Sequence, residues 1–139
     1  MKFLRNFFQR KKFKIPFVPN PTGLIIAAHV SKIEKHPNAD RLQVVELWDG
    51  QNRIGPVVCG AFNFVAGDIV VLALPGAQIA QNIHSAQHEP FTLNKAKIRG
   101  LESQGMICSA FELGLRKTPE TKPEIMVLPN SISPGTILG

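Results

Sequence analysis

The chain has 139 residues, which suits one domain with a buried core. Apolar residues make up 44% of it and charged residues 19%, a balance that excludes a low-hydropathy disordered chain. The net charge of +6 is unevenly placed: Lys2, Arg5, Arg10, Lys11, Lys12 and Lys14 lie in the first fourteen residues with no acid among them, and the remainder balances ten bases against ten acids. Overall basicity therefore says little about the folded part, and any anion-binding surface must be a local patch.

Residues 1–22 read as a basic N-terminal arm. Phe3, Leu4, Phe7, Phe8 and Phe13 interleave with its cations, a mix compatible with an amphipathic basic helix until Pro16 interrupts it. A secretory signal needs a continuous apolar stretch and a small-residue cleavage site, and the arm has neither. No run approaches the roughly twenty apolar residues of a membrane span. A soluble, cytoplasmic protein without a membrane partner is expected.

From Gly23 the pattern turns to short strands. Gly23 to Glu34, with Leu24, Ile25, Ile26, Val30 and Ile33, predicts a first strand long enough to bend. Glu34-Lys35-His36-Pro37-Asn38-Ala39-Asp40-Arg41-Leu42 follows as a polar, turn-prone insertion. Leu42 to Trp48 is the second strand, Asp49-Gly50 the turn, and Ile54 to Cys59 the third strand, with Pro56 placed where no ladder bond is needed. Ile69 to Leu74 is a fourth apolar run, stopped by Pro75-Gly76. Ala77 to Pro90 reads as a polar, irregular surface excursion.

The segment from Lys95 to Ser109 is the most informative. On a strand, Lys95, Lys97 and Arg99 share one face while Ala96 and Ile98 take the other, so three aligned cations could follow three phosphates. A basic alternating strand also serves as a solvated sheet face, so the spacing alone leaves both readings open. Gly105 to Ser109 closes the sheet, and Phe111 to Leu115 reads as one helical turn. Cys59 and Cys108 lack Cys-x-x-Cys spacing and are expected reduced and buried. His84 and His88 read as solvated loop histidines rather than metal ligands. No phosphate-cradling loop, nucleophile elbow or framed carboxylate pair is found, so no catalytic residue, metal or cofactor is expected within this chain.

Three blocks carry a family resemblance: the Glu34 to Leu42 insertion, Cys59-Gly60-Ala61-Phe62-Asn63, and Gly105-Met106-Ile107-Cys108-Ser109 followed by Glu112-Leu113-Gly114-Leu115. In this order they resemble the tRNA-binding domain of the bacterial phenylalanine–tRNA ligase beta subunit. Stand-alone tRNA-binding proteins and appendages of some methionine–tRNA ligases look similar. Ile125-Met126-Val127-Leu128-Pro129 with Pro134-Gly135-Thr136 looks like the segment that closes this domain, so the resemblance covers roughly Gly23 to Gly139 and leaves residues 1–22 outside it.

The resemblance implies an all-β, five-stranded oligonucleotide-binding (OB) barrel over 23–139, with small α elements and a short C-terminal extension. It implies a non-catalytic module that contacts tRNA backbone and shape. Lys95, Lys97, Arg99, Ser103 and Met106 are expected to line the RNA-facing surface, with the Ser103 hydroxyl near backbone or ribose oxygens. His36 and Arg41 are candidates to reach the ligand, and Asn38 to contact it or brace the turn. With one Trp, no Tyr and four Phe beyond the arm, backbone reading is favoured over base stacking. The alternative is a protein-interaction or dimerisation module that docks on a ligase alpha subunit or a second copy, with RNA met only by the arm. Whether the chain is stand-alone or a piece of a ligase beta subunit is open from the residues.

Overall fold

The computed structural model describes the backbone of Lys12–Phe13 and residues 18–139. The helix expected for the arm lies mostly outside these residues; Lys12–Phe13 is a strand, β1. Among the described residues every regular element is a strand, and no helix is long and apolar enough to cross a membrane.

The frame is built on β2 (Ile25–Lys35). Its first half pairs antiparallel with β5 (Ile69–Ala73) along one edge, from Ile25↔Ala73 to His29↔Ile69. Along the other edge β3 (Gln43–Trp48) takes the second half, from His29↔Trp48 to Lys35↔Gln43. One strand serves two partners because the register shifts between Val30 and Lys32, a bulge that bends it as its length suggests. β3 continues through Asp49-Gly50 into β4 (Arg53–Cys59), and Asp49 Oδ1 accepts the Gln51 and Asn52 amides at 2.8 and 2.6 Å. Pro56 falls within the register shift between β3 and β4, where its missing N–H leaves no ladder gap.

β5 is entirely buried, and its other edge is filled by β10 (Met106–Ile107) and β11 (Val127–Leu128). Its all-apolar sequence Ile-Val-Val-Leu-Ala follows from having a core on each face. Ile69, Val71 and Ala73 join Ile25 and Ala27 in one cluster; Val70 and Leu72 join Ile26, Ala28, Val30, Val45, Leu47 and Val57 in the other. The period of two thus sorts one apolar run into two cores.

The cluster outside the curled sheet is covered by pieces that the sequence pattern undersells. β6 (Gln78–Ile79) pairs with β7 (Phe91–Thr92), and Ala77 and Ile79 are fully buried. The stretch expected as a surface excursion, Ala77 to Pro90, therefore begins as a covering ladder, and from residue 80 to 90 it runs as an irregular loop. β12 (Ile137–Leu138) pairs with β2 and carries β1 in parallel on its far side. Val18 is buried in the same cluster, and Asn20 clamps the start of β2, its Oδ1 accepting from Ile25 N and its Nδ2 donating to the carbonyls of Ile25 and Leu138.

The strand ladder does not close into a ring. Between β4 and the strands after it, Gln104 N donates to Pro56 O at 2.9 Å, and Val58 N donates to the Ser103 hydroxyl at 2.9 Å. A side chain stands there in place of a strand carbonyl.

Around the expected helical turn at Phe111 to Leu115 the chain makes a run of turns that does not extend into a helix. Leu113 N reaches Ser109 O at 3.2 Å, Gly114 follows at φ +78°, and no further helical turn forms. Its entry is a reciprocal cap: Ser109 N donates to Glu112 Oε1 at 2.9 Å, and Glu112 N donates to Ser109 Oγ at 3.1 Å.

Candidate nucleic-acid interface

The basic segment forms a hairpin. β8 (Ala96–Ile98) pairs with β9 (Leu101–Ser103), Ile98 opposite Leu101, leaving Arg99 and Gly100 as a two-residue loop. Both have positive φ, +49° and +91°, the twist-matched turn of tight hairpins. This corrects the single cationic face drawn from the sequence. Lys95 and Lys97 are exposed on and beside the strand, but Arg99 has left it for the turn, where the alternation rule ceases to apply.

Arg99 instead ties the hairpin tip to the 36–41 loop. Its Nη2 donates to Asn38 O at 3.1 Å, and Asn38 Nδ2 donates to Arg99 O at 3.5 Å. Beneath this exposed pair lies His36, 2% exposed. Asn38 N donates to His36 Nδ1 at 3.0 Å, so Nε2 carries the proton and donates to Ile98 O at 3.1 Å. His36 N also donates to Leu42 O at 3.1 Å. One buried ring and its amide thus hold both the hairpin and the loop that carries the exposed Arg41.

Ser103 is 3% exposed, and its hydroxyl is engaged on both sides, accepting from Val58 N and donating to Gly105 O at 2.8 Å. The expectation that this hydroxyl faces ribose or phosphate does not match that geometry: strand alternation points it inward, where it seals the sheet. Gly105 is a glycine for a steric reason, since a Cβ there would lie 2.7 Å from Ala73 O. Met106 is half-buried, packed against the outer core and lining a groove.

Electrostatics separates this edge from the neighbouring sheet face. On the outer side of β2, β3 and β4, Lys32 pairs with Glu34 at 2.7 Å, and Arg53 Nε with Glu46 at 2.9 Å, so the cations there are neutralised. Among the described residues, Lys95, Lys97, Arg99 and Arg41 have no carboxylate within ion-pair distance. Lys35 and Asp40 bridge the base of the loop at 3.2 Å, both strongly exposed, so this pair adds little stability.

Beside the hairpin runs a groove of about 620 Å³, lined by Leu42, Ile98, Met106, Ile125, Glu112 and Glu120 among others. Burial pushes the Glu112 carboxyl up, partly offset by the bonds from Ser109. Sequence reasoning missed this groove because its walls come from six separate segments. The Ser109-x-x-Glu112 cap that shapes one end was visible as a capping-box pattern.

A family model described as "Putative tRNA binding domain" matches residues 25–137. The phenylalanine–tRNA ligase beta subunit of Chlamydia caviae is 44% identical over 107 residues, 77% of this chain and 13% of that protein. That of Wolinella succinogenes is 44% identical over 108 residues, 78% of this chain and 12% of the relative. The chain spans about an eighth of the length of these relatives. Among solved structures, a MetRS related protein from Pyrococcus horikoshii superposes with a TM-score of 0.56 at 18% identity, covering 81% of this chain and 85% of the other, which establishes a shared fold. The matched model runs from the first residue of β2 to the first residue of β12 and takes in the hairpin, the braced loop and the groove; the chain belongs to the tRNA-binding domain family.

Proposed function

We propose that the chain is a non-catalytic tRNA-binding module that grips backbone and shape through the tip of the β8–β9 hairpin and the adjoining loop. The observation that carries this is the Arg99–Asn38 clasp over the His36 ring, which makes one braced edge presenting Lys95, Lys97 and Arg41 without ion-pair partners among the described residues. In this reading Lys95, Lys97 and Arg41 meet phosphates, and Arg99 and Asn38 meet the ligand while locking the tip. His36 and Ser103 position these groups from beneath, and Met106 lies at the groove.

Preorganised cations release counterions on binding at little entropic cost to the protein. The relatives' names point to the beta subunit of a phenylalanine–tRNA ligase as the setting, with an alpha subunit as a further partner, and two free, buried cysteines fit a cytoplasmic location. Docking on a subunit or a second copy has one observation in its favour, the exposed Phe62 and Val65 after β4, 59% and 65% accessible.

The test is tRNA binding at two or more salt concentrations for the native chain and a Lys95→Ala, Lys97→Ala, Arg99→Ala variant. Each lost phosphate contact lowers the slope of log K against log salt by about 0.7 to 0.9. The proposal expects weaker binding and a slope shallower by about two such contacts or more. An unchanged slope assigns RNA binding to another surface, and self-association that survives the triple change supports docking through Phe62 and Val65.

A further inference from the structure

The groove beside the hairpin differs chemically from the edge just described. Its volume of about 620 Å³ lies in the range of small-ligand sites, roughly 300–1,000 Å³. Its walls include the apolar side chains of Leu42, Ile98, Met106 and Ile125, and its polar lining sets the carboxylates of Glu112, Glu120 and Glu124 beside Lys122 and His84. Glu120 has an 8% exposed side chain; its Oε2 accepts from Phe111 N at 3.3 Å and lies 4.0 Å from Arg116 Nη1, whereas Oε1 is buried with no hydrogen-bond partner among the described residues. A buried acceptor lacking a donor is costly, so the groove is built to receive N–H groups.

The groove is also continuous with the proposed interface. Ile98 lies between Lys97 and Arg99 in the chain, and Leu42 follows Arg41. The same Ile98 and Leu42 carbonyls are the ones held by the His36 ring and amide. A nucleotide whose phosphate sits on these cations therefore has an apolar slot next to it with donors demanded inside.

We propose that this groove receives one unstacked nucleobase of the bound RNA, of the class that carries an exocyclic amine, so that apolar walls sandwich the ring while the Glu112 and Glu120 edge accepts from its N–H groups. This rests on the tRNA-binding reading and adds base selection to it. Adenine, cytosine and guanine each bring an amine to that edge; uracil brings one ring N–H flanked by two carbonyl oxygens, which the carboxylates oppose. Phe62, next to the groove-lining Ala61 and exposed, offers a face for the neighbouring base.

The experiment uses the native chain and two probes. First, AMP, CMP, GMP and UMP are titrated while the methyl resonances of Ile98, Met106 and Ile125 are followed. The expected result is shifts with the three amine-bearing nucleotides and weaker shifts with UMP; no shift with any, or equal shifts with UMP, overturns the proposal. Second, tRNA binding is measured for Leu42→Trp, which fills the groove from a half-buried wall. Affinity should fall by about tenfold, the worth of one base contact, with the salt slope unchanged because no phosphate contact is lost. Native affinity in a folded Leu42→Trp chain overturns the groove and leaves the hairpin intact. Nucleotide shifts without any tRNA binding would keep the groove and remove the tRNA reading. Should Leu42→Trp not fold, the methyl shifts of the native chain decide.

Discussion

His36 Nε2 lies 3.1 Å from the carbonyl oxygen of Ile98, joining residues 62 positions apart, and the other ring nitrogen accepts from Asn38 N at 3.0 Å. The ring replaces the missing strand partners at the point where a loop and a hairpin tip meet, so the orientation of the cationic edge depends on a side chain that solvent barely touches. His36→Ala leaves the partly buried Ile98 carbonyl and Asn38 amide without their partner. The expected loss of stability is about 1–3 kcal/mol, measured by urea unfolding, with weaker tRNA binding in the variant while it remains folded.

Ser103→Ala tests whether that hydroxyl serves the sheet or the ligand. Removing it strips Val58 N of its acceptor inside the gap between β4 and β9, at a cost of about 1–3 kcal/mol. Under conditions where the variant is folded, its tRNA affinity and salt slope should match the native chain. A shallower slope at unchanged stability would return Ser103 to the contact surface.

Gly100 sits at φ +91°, opposite in sign to what side chains prefer. Gly100→Val should destabilise the hairpin by about 1–2 kcal/mol and loosen the Arg99–Asn38 clasp. Amide exchange should therefore quicken across Ala96 to Ser103 while the β2–β5 ladder keeps its protection. Uniform loss across both would mean that the hairpin is not a separable unit.

Cys59 and Cys108 give the protein an alkaline limit. Burial raises the Cys59 thiol from 9.0 to about 11 and lifts Cys108 well above its ordinary value. A pKa raised in the folded state means that the fold favours the protonated thiol. The associated stability is complete below pH 9 and is lost as pH rises through about 11, with the Cys59 share on the order of 3 kcal/mol. Melting temperature should fall steeply over that window, and Cys59→Ala should flatten part of the fall. Thiol-specific reagents should react slowly at pH 8 until denaturant is added.

Much of this molecule is determined by local pattern. The apolar, β-branched-rich runs beginning near Ile25, Gln43, Arg53 and Ile69 locate the four long strands, and Asp49-Gly50 dictates the hairpin between two of them, because strand propensity and turn chemistry act over a few residues. The family blocks likewise sit in contiguous stretches. What only the tertiary structure decided has a common cause, contact between segments far apart in the chain. Lys95-Ala96-Lys97-Ile98-Arg99 reads as one strand until the turn that Arg99-Gly100 must make is known, and that turn is stabilised by Asn38. Polar Ser103 and His36 read as surface residues because composition does not disclose that Val58 N and Ile98 O await them inside. The groove between Leu42, Ile98, Met106 and Glu120 exists only once separate stretches of chain converge, since burial and hydrogen-bond partnership are properties of the assembled fold and not of any window of sequence.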